Sequence, residues 1–337
     1  MLEKLNYVDA RELLVCPLNR PGFLVDEIIP TGVHMLCGDE KTGKSWMMLD
    51  LCISVAEGTE FLGHPAQQGE VAYFCLEDTL ERMQARLFLM TDAIEGKLRL
   101  IFKANTLANG LCDQIHLYLE DHPLTKLIVI DTFQWIRDSA KDCSYAGDYS
   151  DVAALKELSR ERGITIILIH HVKKKEDSRS VFNNASGTKG LVGAVDTTYI
   201  LSKESDESDR ATLYARGRDL IYTEMAIRFR DFRWELIERK TQEQLRREKT
   251  PPVLFQLVDY IKSVRHWEGT ATEMLAELGE TEVAANVFSK YVNQYRLSLL
   301  LDEGIEYRYQ KTREKRLMSF QFCDDGDDGD GDPDSCA

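Results

Sequence analysis

Gly38-Asp-Glu-Lys-Thr-Gly43-Lys44-Ser45 sets two glycines with four residues between them and follows the second with Lys and Ser. An apolar run, Val33 to Cys37, precedes these residues, and a helical pattern from Lys44 to about Glu57 follows them. A strand, a glycine-bearing loop with this G-x-x-x-x-G-K-[ST] spacing and a helix form a phosphate loop. Chance matches arise in roughly 1% of chains of ordinary composition and this length. The glycines let backbone amides turn inward as an anion nest, and the helix N-terminus adds its partial positive charge. The expected ligand is a nucleoside triphosphate, ATP. Lys44 is expected to reach its β- and γ-phosphates, and the Ser45 hydroxyl to ligate Mg²⁺. Asp39, Glu40, Lys41 and Thr42 fill the loop and Trp46 follows it, so Gly38 to Trp46 is the expected nucleotide-binding stretch.

Around the loop, short apolar strands alternate with helical stretches from Gly32 to about Arg239. Glu70 to Leu76, Lys97 to Phe102, Leu127 to Ile130 and Ile164 to Ile169 read as strands. Asp78 to Thr91, with Leu80, Met83, Leu87 and Met90 on one face, and Asp151 to Arg162 read as helices. Thr197 to Ser202, Ala211 to Ala215 and Met225 to Phe232 read as later strands. The pattern predicts an α/β fold, three layers with a mainly parallel sheet buried on both faces. With 43% hydrophobic and 29% charged residues, the chain is neither disordered nor fibrous. It has no apolar run of membrane-spanning length, and Glu3, Lys4 and Asp9 do not make a signal peptide. The expected location is the cytoplasm, with no membrane partner. Eight scattered cysteines without a CxxC pair argue against a disulfide framework or a zinc site.

Hydrolysis needs carboxylates at the phosphate-loop edge, where the parallel strands end. Asp131 closes Lys126-Leu-Ile-Val-Ile-Asp131 and is expected in the magnesium site. Glu77 ends the second strand and is the candidate for orienting the attacking water; the alternative is a solvated strand end. Asp78 is expected to cap the following helix. His170 and His171 close the strand after Asp131. Alternation sends one of them toward the nucleotide, and His171 is preferred.

Together, Phe23 to Gly38, the phosphate loop, Gly69-Glu-Val-Ala-Tyr-Phe-Cys-Leu-Glu-Asp78, Ala185-Ser-Gly187 and Ala194-Val-Asp196 resemble the RecA-like ATPases of the plasmid RepA helicase type. More distantly, they resemble DnaB-type replicative helicases. The resemblance covers about Pro21 to Trp234. It implies a homohexameric ring, ATP between neighbouring subunits and single-stranded DNA through the centre. By that match Lys44 and Ser45 are the phosphate and metal ligands and Asp131 is the second metal-site residue. Glu77 becomes the catalytic base and His171 the γ-phosphate sensor. Arg216-Gly-Arg218 occupies the place of the basic pair that reaches into a neighbour's site, with Arg218 the arginine finger and Arg216 assisting. Their other reading is a pair of exposed arginines on a turn. Two loops would face the ring's centre, Arg137 to Ser150 and Val172 to Asn184. The second carries Lys173, Lys174, Lys175 and Arg179, the candidate DNA contacts. The stretch before Pro21 is too short for the N-terminal helical domain of the DnaB type, so none of that domain's partners is expected, and Asp138 and Asp142 make the first loop less basic.

The expected organisation is an N-terminal helical extension over 1–20, an ATPase core over 21–240, a linker over 241–252, a winged-helix-like domain over 253–322 and a disordered acidic tail over 323–337. Helices are expected at Val253 to Val264, Thr270 to Leu278 and Val283 to Leu301, then a basic hairpin, Glu306 to Phe322. The net charge of −15 does not exclude nucleic acid, because the last fourteen residues hold seven aspartates and no Lys or Arg. The sequence therefore reads as a DNA helicase or translocase of a plasmid, phage or other mobile element. Its alternatives are a RecA-type regulator or loader that does not unwind, and a nucleotide-gated interaction protein.

Overall fold

The computed structural model describes residues 7–11, 22–137, 145–171, 182, 189–205, 207–311 and 315–323. Two compact units meet in sequence between Gln242 and Glu243. The first contains, in order, β1 (Phe23–Val25), β2 (Ile29–Pro30), β3 (Val33–Gly38), α1 (Lys44–Glu57), β4 (Glu60–Phe61), β5 (His64–Pro65), β6 (Glu70–Cys75) and α2 (Leu80–Met90). Next come β7 (Leu98–Ile101), α3 (Leu111–Asp121), β8 (Thr125–Asp131), α4 (Phe133–Ile136), α5 (Tyr145–Arg162), β9 (Thr165–His171) and α6 (Lys189–Ala194). It ends with β10 (Thr197–Lys203), β11 (Arg210–Gly217), β12 (Thr223–Arg230) and β13 (Arg233–Thr241).

Nine strands form one sheet in the order β13-β12-β11-β10-β3-β9-β8-β6-β7. From β10 to β7 every pairing is parallel; β11, β12 and β13 extend the sheet as an antiparallel meander. Alternate residues of one strand enter different cores. Val71 and Tyr73 join Leu127, Val129 and α1 on one face; Ala72 and Phe74 join Ile128, Ile130, α3 and α5 on the other. A sheet buried on both faces needs uninterrupted apolar strands, which is why these segments carry so little polar residue. This is the expected RecA-like α/β core.

Some local expectations change. Thr79, rather than Asp78, caps α2, its hydroxyl accepting from Arg82 N at 3.3 Å. Asp78 instead pairs with Arg82 and Arg86. Leu80 stands at the first helical position and is 65% exposed, so the buried stripe narrows to Met83, Leu87 and Met90. α3 was not expected, although Leu111, Ile115 and Leu119 repeat at helical spacing and are buried. α5 begins at Tyr145, six residues before the expected start at Asp151. The charged stretch after Trp234 holds most of β13, an edge strand that packs Trp234 and Leu236 on the core and carries mainly charged residues along the rest of its length.

Inside α1, Asp50 is 4% exposed and ion-pairs with Arg233 of β13, which also donates to the Met90 carbonyl at 3.0 Å. Burial raises the Asp50 carboxyl to about 6 against the pull of Arg233. A carboxyl raised on folding contributes most below its unfolded value and loses that contribution as pH rises through about 6. Arg233→Ala should therefore cost on the order of 3–5 kcal/mol at pH 8, where the charge is left unpaired. Urea unfolding at pH 5 should return a clearly smaller loss; equal losses at both pH values would rule out a charge-based cause.

The second unit runs through α7 (Gln242–Lys249), α8 (Pro252–Val264), β14 (His266–Gly269), α9 (Ala271–Glu277), α10 (Ala285–Tyr295), a π-helical turn (Arg296–Leu300), β15 (Ile305–Lys311) and β16 (Arg316–Phe322). The stretch expected as a linker is thus helical over Gln242–Lys249. Thr270 and Glu273 form a reciprocal capping box that starts α9. Leu254, Leu257, Ile261, Phe288, Val292 and Phe320 build a separate core. The three strands pair antiparallel in the order β14-β16-β15. The acidic tail beyond Cys323 lies outside the described residues.

Candidate active site

Gly38 ends β3 where a Cβ would stand 2.7 Å from the Leu201 carbonyl oxygen, so only glycine fits this approach of β10. Gly43 caps α1 with φ +95°, and a Cβ there would press on the Trp234 ring at 3.0 Å. The Trp234 indole in turn donates to the Gly43 carbonyl at 3.3 Å. Thr42 Oγ1 donates to the Asp39 carbonyl at 2.9 Å, tightening the loop. Lys44 is buried, and its ammonium donates to the carbonyls of Gly38 at 2.8 Å and Asp39 at 2.6 Å. Burial lowers it to about 8. Glu40 and Lys41 are exposed on the loop.

Strand register brings the acidic candidates to this same edge. Gly38 lies level with His171, and Cys75 lies level with Asp131. Ser45 Oγ donates to Asp131 Oδ2 at 2.7 Å, and Tyr73 OH donates to the same oxygen at 2.9 Å. Burial raises the Asp131 carboxyl, while both hydrogen bonds pull the other way. Two residues past β6, Glu77 Oε1 accepts from Thr132 Oγ1 at 2.8 Å, and Glu77 Oε2 stands 3.7 Å from His171 Nε2. Glu77, His171, Asp131, Ser45 and Lys44 therefore share one edge. His170 instead meets the Phe133 ring edge-on, 6.4 Å between centroids.

Thr132 and Tyr73 escaped the sequence reading. Thr132 is fully buried directly after Asp131 and holds Glu77 in place; Tyr73 holds Asp131. A tyrosine inside an apolar strand needs a partner for its hydroxyl, and that was the available signal.

Arg216 and Arg218 lie elsewhere. Gly217 pairs with Thr197, and Thr197 with His34, four residues upstream of Gly38. Arg216 is level with Met35 and Arg218 with Val33, so at about 3.3 Å per residue they sit about 10 Å and about 16 Å back along the strands, toward the edge where the parallel strands begin. Both are exposed. Asp196 organises this edge. Its carboxylate accepts from Val33 N at 3.0 Å, pairs with Lys156 at 2.6 Å and stands 4.0 Å from Arg218 Nη1. Its carbonyl accepts from Arg218 N at 2.9 Å. A cleft of about 610 Å³ opens here, lined by Lys156, Arg160, Asp196 and Arg218 among others.

Trp46, at the third position of α1, packs 5.3 Å from Phe232 and 6.1 Å from Phe229, with the Arg86 guanidinium 5.6 Å over its ring. Asp231 and Phe232 both take positive φ, giving the tight β12–β13 turn that presents Phe232, 38% exposed, beside the loop. Lys173, Lys174, Lys175, Arg179 and Ala185 to Gly187 lie outside the described residues.

The profile of a family described as AAA domain matches residues 2–177, more than half of the chain. The chain belongs to the AAA domain family. Its AAA domain has a solved structural relative, itself described as an ATPase domain, with a TM-score of 0.50 and 14% identity over 62% of this chain and 85% of that one. At that identity the likeness is one of fold, a P-loop on a RecA-like α/β sheet. No curated protein matches the sequence. Among the described residues, the AAA domain has no cluster of three or more His, Cys, Asp or Glu able to hold an ion by itself. It does offer the Ser45 hydroxyl against the Asp131 carboxylate, two hard oxygen donors that suit a Mg²⁺ keeping most of its ligands as water and phosphate oxygen. Among the described residues, no helix is long and apolar enough to cross a membrane.

Proposed function

We propose that this chain is an ATP-hydrolysing motor, a DNA helicase or translocase acting in the replication of a plasmid, phage or other mobile element. In this reading it works as a homo-oligomeric, hexameric ring on single-stranded DNA. One observation carries the reading: the phosphate-loop edge gathers every expected catalytic part except an arginine, and the candidate arginines stand at the opposite edge. A site built this way is completed by a second copy of the chain.

Lys44 and the loop amides hold the β- and γ-phosphates, with Trp46 beside them. Ser45 and Asp131 would hold Mg²⁺, which would supply positive charge to the phosphate oxygens when bound. Glu77, fixed by Thr132, orients the attacking water and receives its proton. His171, in contact with Glu77 at the end of β9, senses the γ-phosphate. Arg218, assisted by Arg216, meets the transition-state charge of the neighbour's nucleotide, and Asp196 is the positioning residue that fixes its backbone.

Lys173, Lys174 and Lys175 come two to four residues after His171 and Arg179 eight residues after it, so loss of the γ-phosphate at His171 has a short path along the chain to a DNA-gripping loop. The test is steady-state ATPase with and without single-stranded DNA, followed by unwinding of a forked duplex. Replacing the three lysines with alanine should flatten the salt dependence of DNA binding by about 0.7 in log–log slope per lost contact and remove DNA stimulation. An unchanged slope and undiminished stimulation would move the DNA site off this loop. Stimulation without unwinding favours the DNA-bound regulator or loader. No DNA binding by the wild type at low salt favours the nucleotide-gated interaction protein.

A further inference from the structure

The second unit has its own chemistry. In a chain with 57 acidic residues, Val283 to Leu301 contains none. That stretch spans α10 and the π-helical turn after it. Phe288 and Val292 face the core, which turns Asn286, Lys290, Asn293 and Leu297 outward as one stripe at helical spacing. The stripe thus carries two carboxamides, one ammonium and one apolar side chain, with no carboxylate among them. At the turn end of the β15–β16 hairpin Lys311, Lys315 and Arg316 are exposed, and Arg308 is exposed midway along β15, opposite Ser319. Lys315 also acts on Glu273, and Arg308 lies 3.5 Å from Glu306, so the cationic end is partly balanced.

The order helix, strand, helix, helix, strand, strand, with the first strand paired to the last, is that of a winged helix. A seven-residue connection, Leu278 to Ala284, joins α9 to α10 and includes Gly279 at φ +65°.

We propose that this unit binds double-stranded DNA, with α10 in the major groove and the β15–β16 hairpin on the phosphate backbone. An α-helix fits the major groove, and the stripe's chemistry has counterparts there, although the Asn293 amide donates to the Ser289 carbonyl at 2.8 Å and must turn from it to reach a base. Asn pairs bidentately with adenine, Lys donates to guanine O6 or N7, and an apolar tip contacts the thymine methyl. Hairpin cations contact phosphate without reading sequence, which fixes register. A duplex is favoured over a protein partner because the face is amide-rich, lacks carboxylates and is locally cationic on an otherwise acidic chain. The assignment is independent of the motor reading, since it draws on no residue of the ATPase unit. It would give the chain a duplex anchor apart from any single strand it grips.

The experiment uses the full-length protein without nucleotide, a labelled mixed-sequence duplex and the single strand of the same sequence, titrated by fluorescence anisotropy across salt. One variant replaces Arg308, Lys311, Lys315 and Arg316 with glutamine; another is Lys290→Glu. The wild type should bind the duplex with strong salt dependence. The hairpin variant should lower the log–log slope by about 0.9 per lost contact, and its affinity at low salt should fall by about 10²-fold. Lys290→Glu should weaken duplex binding at least tenfold and leave single-strand binding near wild type. Selection of bound duplexes from a randomised pool should recover a sequence preference that Asn286→Ala and Asn293→Ala relax. Unfolding midpoints measured alongside exclude collapse of the unit, and Lys290, exposed on the helix, is the position at which folding is least at stake. Duplex binding unaltered in both charge variants would overturn the assignment. So would no duplex binding at low salt, and a change of oligomeric state in Lys290→Glu would then point to a protein interface instead.

Discussion

Arg218→Ala should leave ATP binding near wild type and lower turnover by about 10³–10⁵, the range for an arginine that meets transition-state charge. The reason is geometric. Arg218 sits about 16 Å behind its own phosphate loop along the strands and is exposed, so its loss removes nothing from the nucleotide pocket of the same chain. Only an interaction made in the transition state is lost, which reads as a fall in turnover without a matching fall in affinity. Mixing gives the decisive measurement. Lys44→Ala subunits keep an intact Arg218, and Arg218→Ala subunits keep an intact phosphate loop. Verified mixed oligomers of the two should regain turnover that neither has alone. If they stay inactive, the site is completed within one chain and the ring reading loses its support.

Glu77→Gln should bind ATP as the wild type does and turn over 10²–10⁴-fold more slowly, about what removing a positioned base costs. The amide keeps the size of the side chain, and its carbonyl oxygen can still accept from Thr132, so the local structure persists. Only the capacity to take a proton from water disappears. Equilibrium binding of a fluorescent ATP analogue, read beside single-turnover hydrolysis, separates the two effects. A variant that no longer binds nucleotide would make Glu77 a structural residue and send the search for the base elsewhere on this edge.

Much of the fold was legible because its signals are local. Two glycines at fixed spacing, one made necessary by a left-handed φ and the other by a close backbone approach, identified the loop before any contact was known. Apolar runs in Leu127 to Ile130 and Ile164 to Ile169 announced strands buried on both faces. The edge strand β13 and helix α3 were missed for different reasons. In β13 the apolar alternation ends after Trp234 and Leu236 and mostly charged residues carry the strand on to Thr241, whereas the helical spacing of Leu111, Ile115 and Leu119 was present but lay between turn-rich segments.

The sequence by itself determined the phosphate loop, the strand-terminal Asp131 and Glu77, and the α/β class, since each is set by residues within a few positions of one another. Only the tertiary structure decided who meets whom. That Tyr73 holds Asp131, that Thr132 holds Glu77, and that Asp196 ties Val33, Lys156 and Arg218 into one edge depend on strand order and register. So does the separation of Arg216 and Arg218 from the phosphate loop of their own chain. Register is a property of pairs of strands distant in the chain, and a shift of one residue would send every one of these side chains to the other face.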